Sequence, residues 1–431
     1  MAARAPFFGW RVVWGAFVLA TFGWGVGFYG PPVYLHAVVQ RTGWSAALVS
    51  CGVTAHFLAG AIVVANLPRL YRRFGVPRIT CAGAALLAGG VLGWAVAREP
   101  WQLFAAALLS GAGWVAMGAA AVNAIVAPWF ARSRPAALAT AYNGASIGGV
   151  IFSPVWVALI GWLHFAPAAA LVGVTMVLAV WALSSLLFSA TPEQLGQSPD
   201  GEAPYGAPIC SAASRGRPLP GFALWKDRTF LTLAGGMALG LFAQIGLLAH
   251  LFSVLVPVLG VQAAGLAMGT ATGCAIGGRT VVGWLMPVNA DRRLVACGSH
   301  AVQAAGSVLL VLSMGQSVPL LLAGIILFGA GIGNATSLPP MIAQTEFTRD
   351  DVPRVVSLIV AAGQATYSFA PAAFGLLRSV DPLTFGLPTG GETAMFAAAA
   401  VVQLGAIVCF LGGRRSPSRQ APDVATSADS A

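Results

Sequence analysis

The sequence predicts an all-α membrane protein: twelve transmembrane helices arranged as two six-helix pseudo-repeats. Three observations lead there. Apolar residues make up 58% and charged residues 8% of the 431 positions, and the mean hydropathy is +0.81, whereas a soluble domain carries roughly a quarter charged residues. The apolar residues gather into twelve runs, each near the about 20 residues needed to cross the hydrocarbon core. The basic residues alternate between the two sides of those runs. A chain with so little charge cannot cover a water-facing surface, so lipid is its solvent.

The runs lie near 12–39, 45–67, 79–97, 101–127, 136–161, 168–190, 229–257, 262–287, 294–314, 318–344, 355–379 and 393–412. The first is too long for the core of a cleavable signal peptide and has no clean small-residue cleavage site. Several runs contain helix breakers, among them Gly30-Pro31-Pro32 and Ser153-Pro154. In lipid, neighbouring helices can satisfy the backbone groups such residues free. Gly144, Gly148 and Gly149 form a small-residue face suited to close helix contact.

Orientation follows from the arginines. With the N-terminus in the cytoplasm, nineteen of the 23 Lys and Arg fall on the cytoplasmic side and only Arg41, Arg98 and Arg378 on the other. Arg279 is the remaining one, and it lies inside the eighth run. Both termini are therefore expected in the cytoplasm, in a bacterial inner membrane. The net charge of +10 reflects these topology signals. Its short scattered clusters lack the contiguous basic face that nucleic-acid binding requires.

The chain divides into a six-helix half over 1–190, a Pro-, Gly- and Ser-rich cytoplasmic linker over 191–226, a second half over 227–413 and a disordered tail over 414–431. The halves match at a shift of about 218 residues. Gly60 and Leu67 correspond to Gly278 and Leu285, Gly111-Ala112-Gly113 to Gly329-Ala330-Gly331, and Pro135 to Pro353. Two repeats in the same orientation imply a pseudo-two-fold along the membrane normal, a substrate path between the halves, and alternating access.

Four stretches resemble the major facilitator superfamily, and within it the bacterial monocarboxylate-porter-like group. They are Gly27-Phe28-Tyr29-Gly30-Pro31-Pro32-Val33-Tyr34; Trp129-Phe130 with Arg132 and Arg134; Ala249-His250-Leu251; and Gly277-Gly278-Arg279 followed by Gly283 and Asp291-Arg292-Arg293. The resemblance implies a secondary carrier, with cytoplasmic gating at Arg73 and Gly75 and at Asp291 and Arg292. It also has departures. In the loop after the second span, Pro68 stands where the superfamily usually has Gly, and Arg72 where it has Asp. Eukaryotic monocarboxylate carriers place an Asp one turn before the arginine and a Lys near the proline of the first span. Ala275 and Pro32 stand there instead, so their proton-coupling residues do not carry over.

Among the residues, Arg279 is the sharpest signal. It lies roughly 12–18 Å along the helix from Pro287 and Asp291 at 1.5 Å per residue, too deep to snorkel easily. No Asp or Glu falls within any predicted span, so a substrate carboxylate is its simplest counter-ion, held by the guanidinium fork. The alternative is an arginine bonded to backbone carbonyls. His250 stands beyond the midpoint of the seventh span, where it could bond substrate or titrate; His56 and His300 read as structural. Tyr29, Asn123, Tyr142 and Tyr367 are the polar residues expected to line the cavity. The six cysteines form no CxxC pair and read as packing residues. No cofactor and no metal site is expected, since no His pair has ligand spacing with a carboxylate.

The sequence thus predicts a carrier of a small organic anion, a monocarboxylate in particular, acting as a monomer in the bilayer with protons as a candidate coupling ion for symport. Efflux of lipophilic compounds is a rival reading, against which a cationic drug would meet Arg279 unopposed. A transporter-like membrane sensor is another, but neither linker nor tail could fold into a signalling domain. No nucleophile and base suggest an enzyme.

Overall fold

The computed structural model describes residues 7–201, 221–287, 290–313, 317–348, 351–379 and 391–414. Most of the linker and nearly all of the tail lie outside these residues. Among the described residues the chain is helical throughout its crossings. Eleven helices are long and apolar enough to span a membrane. The twelfth crossing, Val261–Leu285, is the one that carries Arg279.

The first span is two helices, α1 (Gly9–Gly27) and α2 (Pro31–Thr42). Pro31 and Pro32 supply no N–H, so the backbone ladder stops before them. The carbonyls this frees are taken by side chains: His56 bonds Gly27 O at 2.9 Å, Tyr34 donates to Val26 O at 3.0 Å, and Trp156 donates to Gly25 O at 3.4 Å. These bonds make a break affordable in lipid. Next come α3 (Ala46–Phe74), α4 (Val76–Val96) and a second broken span, α5 (Pro100–Ala116) with α6 (Ala119–Val126). The half closes with α7 (Arg134–Leu163) and α8 (Phe165–Leu183). Pro154 sits inside α7 without ending it.

The second half holds α9 (Arg228–Leu259), α10 (Val261–Leu285), α11 (Arg292–Ser313) and α12 (Val318–Glu346). Its eleventh span is broken into α13 (Val352–Ser368) and α14 (Ala370–Arg378), and α15 (Gly391–Gly412) ends it. The tight turn between α9 and α10 runs through Gly260 at φ +79° and that between α3 and α4 through Gly75 at φ +83°, a region costly for any residue with a Cβ.

The repeat is visible in how the glycines pack. A Cβ on Gly111 would lie 1.9 Å from the carbonyl oxygen of His56, and one on its counterpart Gly329 2.5 Å from that of Ala271. One on Gly278 would lie 1.9 Å from Ala330 O. In both halves the same sequence positions let the second and fourth helices of the repeat touch backbone to backbone. Gly144 and Gly148 likewise bring α7 onto α1: a Cβ on each would come within 2.1 Å of Phe17 O and 2.4 Å of Thr21 O.

The halves meet mainly through α7 against α10, α3 against α13 and α14, and α2 against α9. These contacts gather toward the end opposite the termini. Gly269 approaches Val150 O, Gly265 approaches Val157, and Gly375 approaches Ser50. Toward the arginine-rich end the inner segments α6 and α12 pack chiefly on their own halves, and Asn123 and Asn143 are exposed. A cleft therefore runs between the halves toward the end that carries the termini.

Candidate functional site

Arg279 follows Gly278, whose missing side chain lets α10 press on α12 at Ala330. Its Nε donates to Gly333 O at 3.2 Å, a carbonyl that also accepts from Ser337 Oγ at 3.1 Å. Its two terminal nitrogens have no protein partner among the described residues. The three ion pairs among those residues are Arg293–Glu346, Arg378–Glu392 and Arg414–Asp291. The half-buried guanidinium therefore offers its fork to the cleft with no carboxylate beside it.

Tyr29 stands at the α1–α2 break, 6% exposed. Its hydroxyl lies within electrostatic reach of the Arg279 guanidinium on α10, while Thr272 Oγ1 donates to Met268 O of its own helix at 3.1 Å. Gly149 makes this meeting of the halves possible: a Cβ there would lie 2.5 Å from Thr272 Cγ2 and 2.7 Å from Tyr29 Cε2. Beside Tyr29, on the side away from the termini, lies an apolar pocket whose lining includes Phe28, Pro32, Val53, Phe57, Leu248 and Ala249. The ring of Tyr367 packs edge-on to Phe57 at 5.6 Å, joining α13 to α3.

Asn123 and Tyr142 meet each other rather than Arg279. Asn123 Nδ2 donates to the Tyr142 hydroxyl, and both donate to Ala119 O, at 2.9 Å and 3.1 Å. Ala119 is the first residue of α6, so its carbonyl holds both side chains at the start of that helix. Trp24 of α1 lies edge-on to Tyr142 at 6.3 Å.

His250 is fully buried at the far end of the cleft. Its Nε2 lies 2.9 Å from Pro371 O and 3.4 Å from Ser50 Oγ of the other half, so it belongs to the closed end and not to the cleft. His56 is bonded at both nitrogens, to Ser110 Oγ at 2.8 Å and Gly27 O at 2.9 Å. His300 stacks on Phe410 at 5.6 Å.

The residues expected to gate differ between the halves. Arg73 is exposed, with its guanidinium 5.1 Å over the Phe74 ring, and Gly75 makes the turn. In the second half Asp291 accepts from the Arg293 and Leu294 N–H groups at 3.0 Å and 3.3 Å, and from Arg414 Nε at 2.7 Å. Partial burial opposes its ionisation, but the Arg414 guanidinium and the two N–H groups outweigh it and hold the carboxyl below its usual range. Arg292 donates to Met341 O at 2.6 Å.

Sequence reasoning missed one charged pair. The predicted tenth span stopped at 344, but α12 continues to Glu346, which takes both Nε and Nη2 of Arg293, at 2.7 Å and 2.8 Å. Arg293 is 1% exposed. The sequence places it with the cytoplasmic-side charges, because a position at a span boundary does not reveal which way the side chain turns. Glu346 is thus committed elsewhere and leaves Arg279 unopposed.

Residues 13–371 match the family model of the Major Facilitator Superfamily. The chain belongs to that superfamily. Among solved structures it is similar to a bacterial homologue of the human lysosomal transporter Spinster in an inward-facing, occupied conformation, with TM-score 0.67 and 14% identity over 96% of this chain and 100% of that one. It is also similar to a D-xylose–proton symporter, with TM-score 0.68 and 14% identity over 94% and 97%, and to the nucleoside transporter NupG, with TM-score 0.67 and 12% identity over 94% and 99%. At such identities the likeness is one of fold. No curated protein matches the sequence. This superfamily member is a multi-pass membrane transporter of a small molecule, and the cleft with Arg279 in it is its candidate substrate site.

Proposed function

We propose that this transporter carries a small organic anion, a monocarboxylate in particular, by alternating access with Arg279 as the anchor. The observation that carries the proposal is the unpaired fork of Arg279 in the cleft. A guanidinium held in a low-dielectric setting without an acid is expensive, and a carboxylate is the partner its two parallel donors fit best. Tyr29, beside the same charge, would donate to the second carboxylate oxygen. The apolar pocket next to Tyr29 has room for little more than a methyl group and would receive the end of a short hydrocarbon part. Asn123 and Tyr142, on the facing wall, would meet the substrate nearer the cleft mouth.

The arginine distribution supports placing the termini, and therefore the cleft mouth, in the cytoplasm of a bacterium. On this reading the molecule faces inward. No carboxylate reaches the cleft among the described residues, so a lipophilic cation would meet Arg279 unopposed. Protons would be coupled, if at all, through the substrate or through a group outside the cleft.

The test is uptake of labelled monocarboxylates into proteoliposomes, with and without an imposed pH gradient. Arg279→Ala should abolish saturable uptake, consistent with losing about 2–5 kcal/mol of anion binding. Arg279→Lys keeps the charge but not the fork and should raise the half-saturating concentration about tenfold. Equal uptake by wild type and Arg279→Ala, with folding intact, would exclude the anchor role. Uptake of neutral solutes in place of acids would exclude the anion reading.

A further inference from the structure

The closed end of the cleft contains a hydrogen bond that crosses between the halves at a helix break. Pro371 has no N–H and interrupts the eleventh span, and α14 starts beside it. The N–H of Ala372, in the first turn of α14, donates at 3.1 Å to Thr54 Oγ1 on α3 of the other half. Thr54 is 8% exposed and Ser50, one helical turn before it, 0%. The carbonyl of Pro371 is held from the opposite side by His250 of α9 at 2.9 Å. One turn further along α14, Gly375 lets α3 approach, since a Cβ there would lie 2.6 Å from Ser50 Oγ and 2.8 Å from Ser50 Cβ.

We propose that Thr54 is the latch of the outer gate, capping in trans the backbone N–H at the break in the eleventh span. Away from water an N–H without an acceptor is costly. With this end closed, Thr54 supplies the acceptor. When the halves part here, the bond must break and the N–H must find water. The bond exists in one of the two states of the cycle and not in the other, which is what allows a contact to bias an equilibrium. His250 and Pro371 both belong to the second half and move together. The inference needs only that the halves alternate, whatever the substrate.

The test reads gate opening directly. In a variant with the six native cysteines replaced, Ala249→Cys places a thiol in the buried pocket beneath the gate, and a membrane-impermeant maleimide is applied outside intact cells. Thr54→Val keeps the shape and removes the acceptor, and should label about tenfold faster than the parent, the shift expected from orphaning one buried N–H. Thr54→Ser restores the acceptor and should label at the parent rate. Gly375→Ala, whose methyl collides with Ser50, gives the signal of an opened gate. Thr54→Val at the parent rate while Gly375→Ala labels fast would overturn the latch, as would Thr54→Ser labelling as fast as Thr54→Val. Parent-rate labelling by all variants would overturn the assignment of this end as the gate.

Discussion

Two arginines, similar in sequence, do opposite things in this molecule. Arg279 keeps its fork free, whereas Arg293 is consumed by the protein: besides Glu346 it bonds Thr229 O at 2.8 Å, Thr232 Oγ1 at 3.1 Å and Phe410 O at 3.2 Å. One side chain thereby ties α9, α11, α12 and α15 together near the termini. A buried pair is worth little against an apolar replacement, but breaking one partner leaves an uncompensated charge. Glu346→Gln should therefore lower stability by about 3–5 kcal/mol, seen as a lower melting temperature in detergent. The double change Arg293→Met with Glu346→Leu should recover much of that loss. If the double variant melts as low as the single, the pair does not act as a unit. The unusual depth of Arg279 was readable from the sequence. Which arginine would be neutralised was not, because Glu346 reaches Arg293 across 53 residues of chain.

At the scale of the helices, most spans lie within a few residues of where hydropathy puts them, because crossing length is set by the bilayer. The second is the exception, since α3 runs on past 67 through Pro68 to Phe74 and makes helix of the Pro68–Arg73 stretch that the sequence places in a loop. The breaks were less legible. Pro31-Pro32 and Pro371 stand at two of them, but Pro154 leaves α7 whole, and the break at Met117–Gly118 in the fourth span has no proline at all. Packing glycines show the same limit. Gly89 and Gly90 are neighbours in α4 and look alike in the sequence. A Cβ on Gly89 would meet nothing within 4 Å, while one on Gly90 would lie 2.4 Å from the backbone nitrogen of Ser110 on α5. Gly90→Ala should cost about 1–3 kcal/mol through overpacking. Gly89→Ala should be neutral or slightly stabilising, since glycine is the poorer helix former. Thermal melting of the two variants separates them, and equal melting points would mean α4 and α5 do not pack as closely as described.

At the scale of the whole molecule, the two halves are joined along a seam whose tightest point is also beside the candidate site. Gly149 of α7 accepts both Tyr29 and Thr272 against its bare Cα. Gly149→Ala should push these two apart, and with them the halves, lowering transport by about tenfold while the melting temperature changes less than for Gly90→Ala. The contact lies between two bodies and not within either core, so the strain falls on their relative motion. Transport and stability falling in proportion would make the position simple packing.

Composition and pattern were enough for the solvent, the number of crossings, the repeat and the one arginine that lipid should not tolerate. Each of these follows from composition and periodicity, which act locally along the chain. It took the folded arrangement to pair Glu346 with Arg293, to join Asn123 to Tyr142, and to put His250 at the closed end beside Thr54 and Pro371. Those outcomes depend on which helices become neighbours, within one half for the first two and across the pseudo-two-fold for the third. Small residues permit that closeness at many places, and the packing of whole halves selects among them.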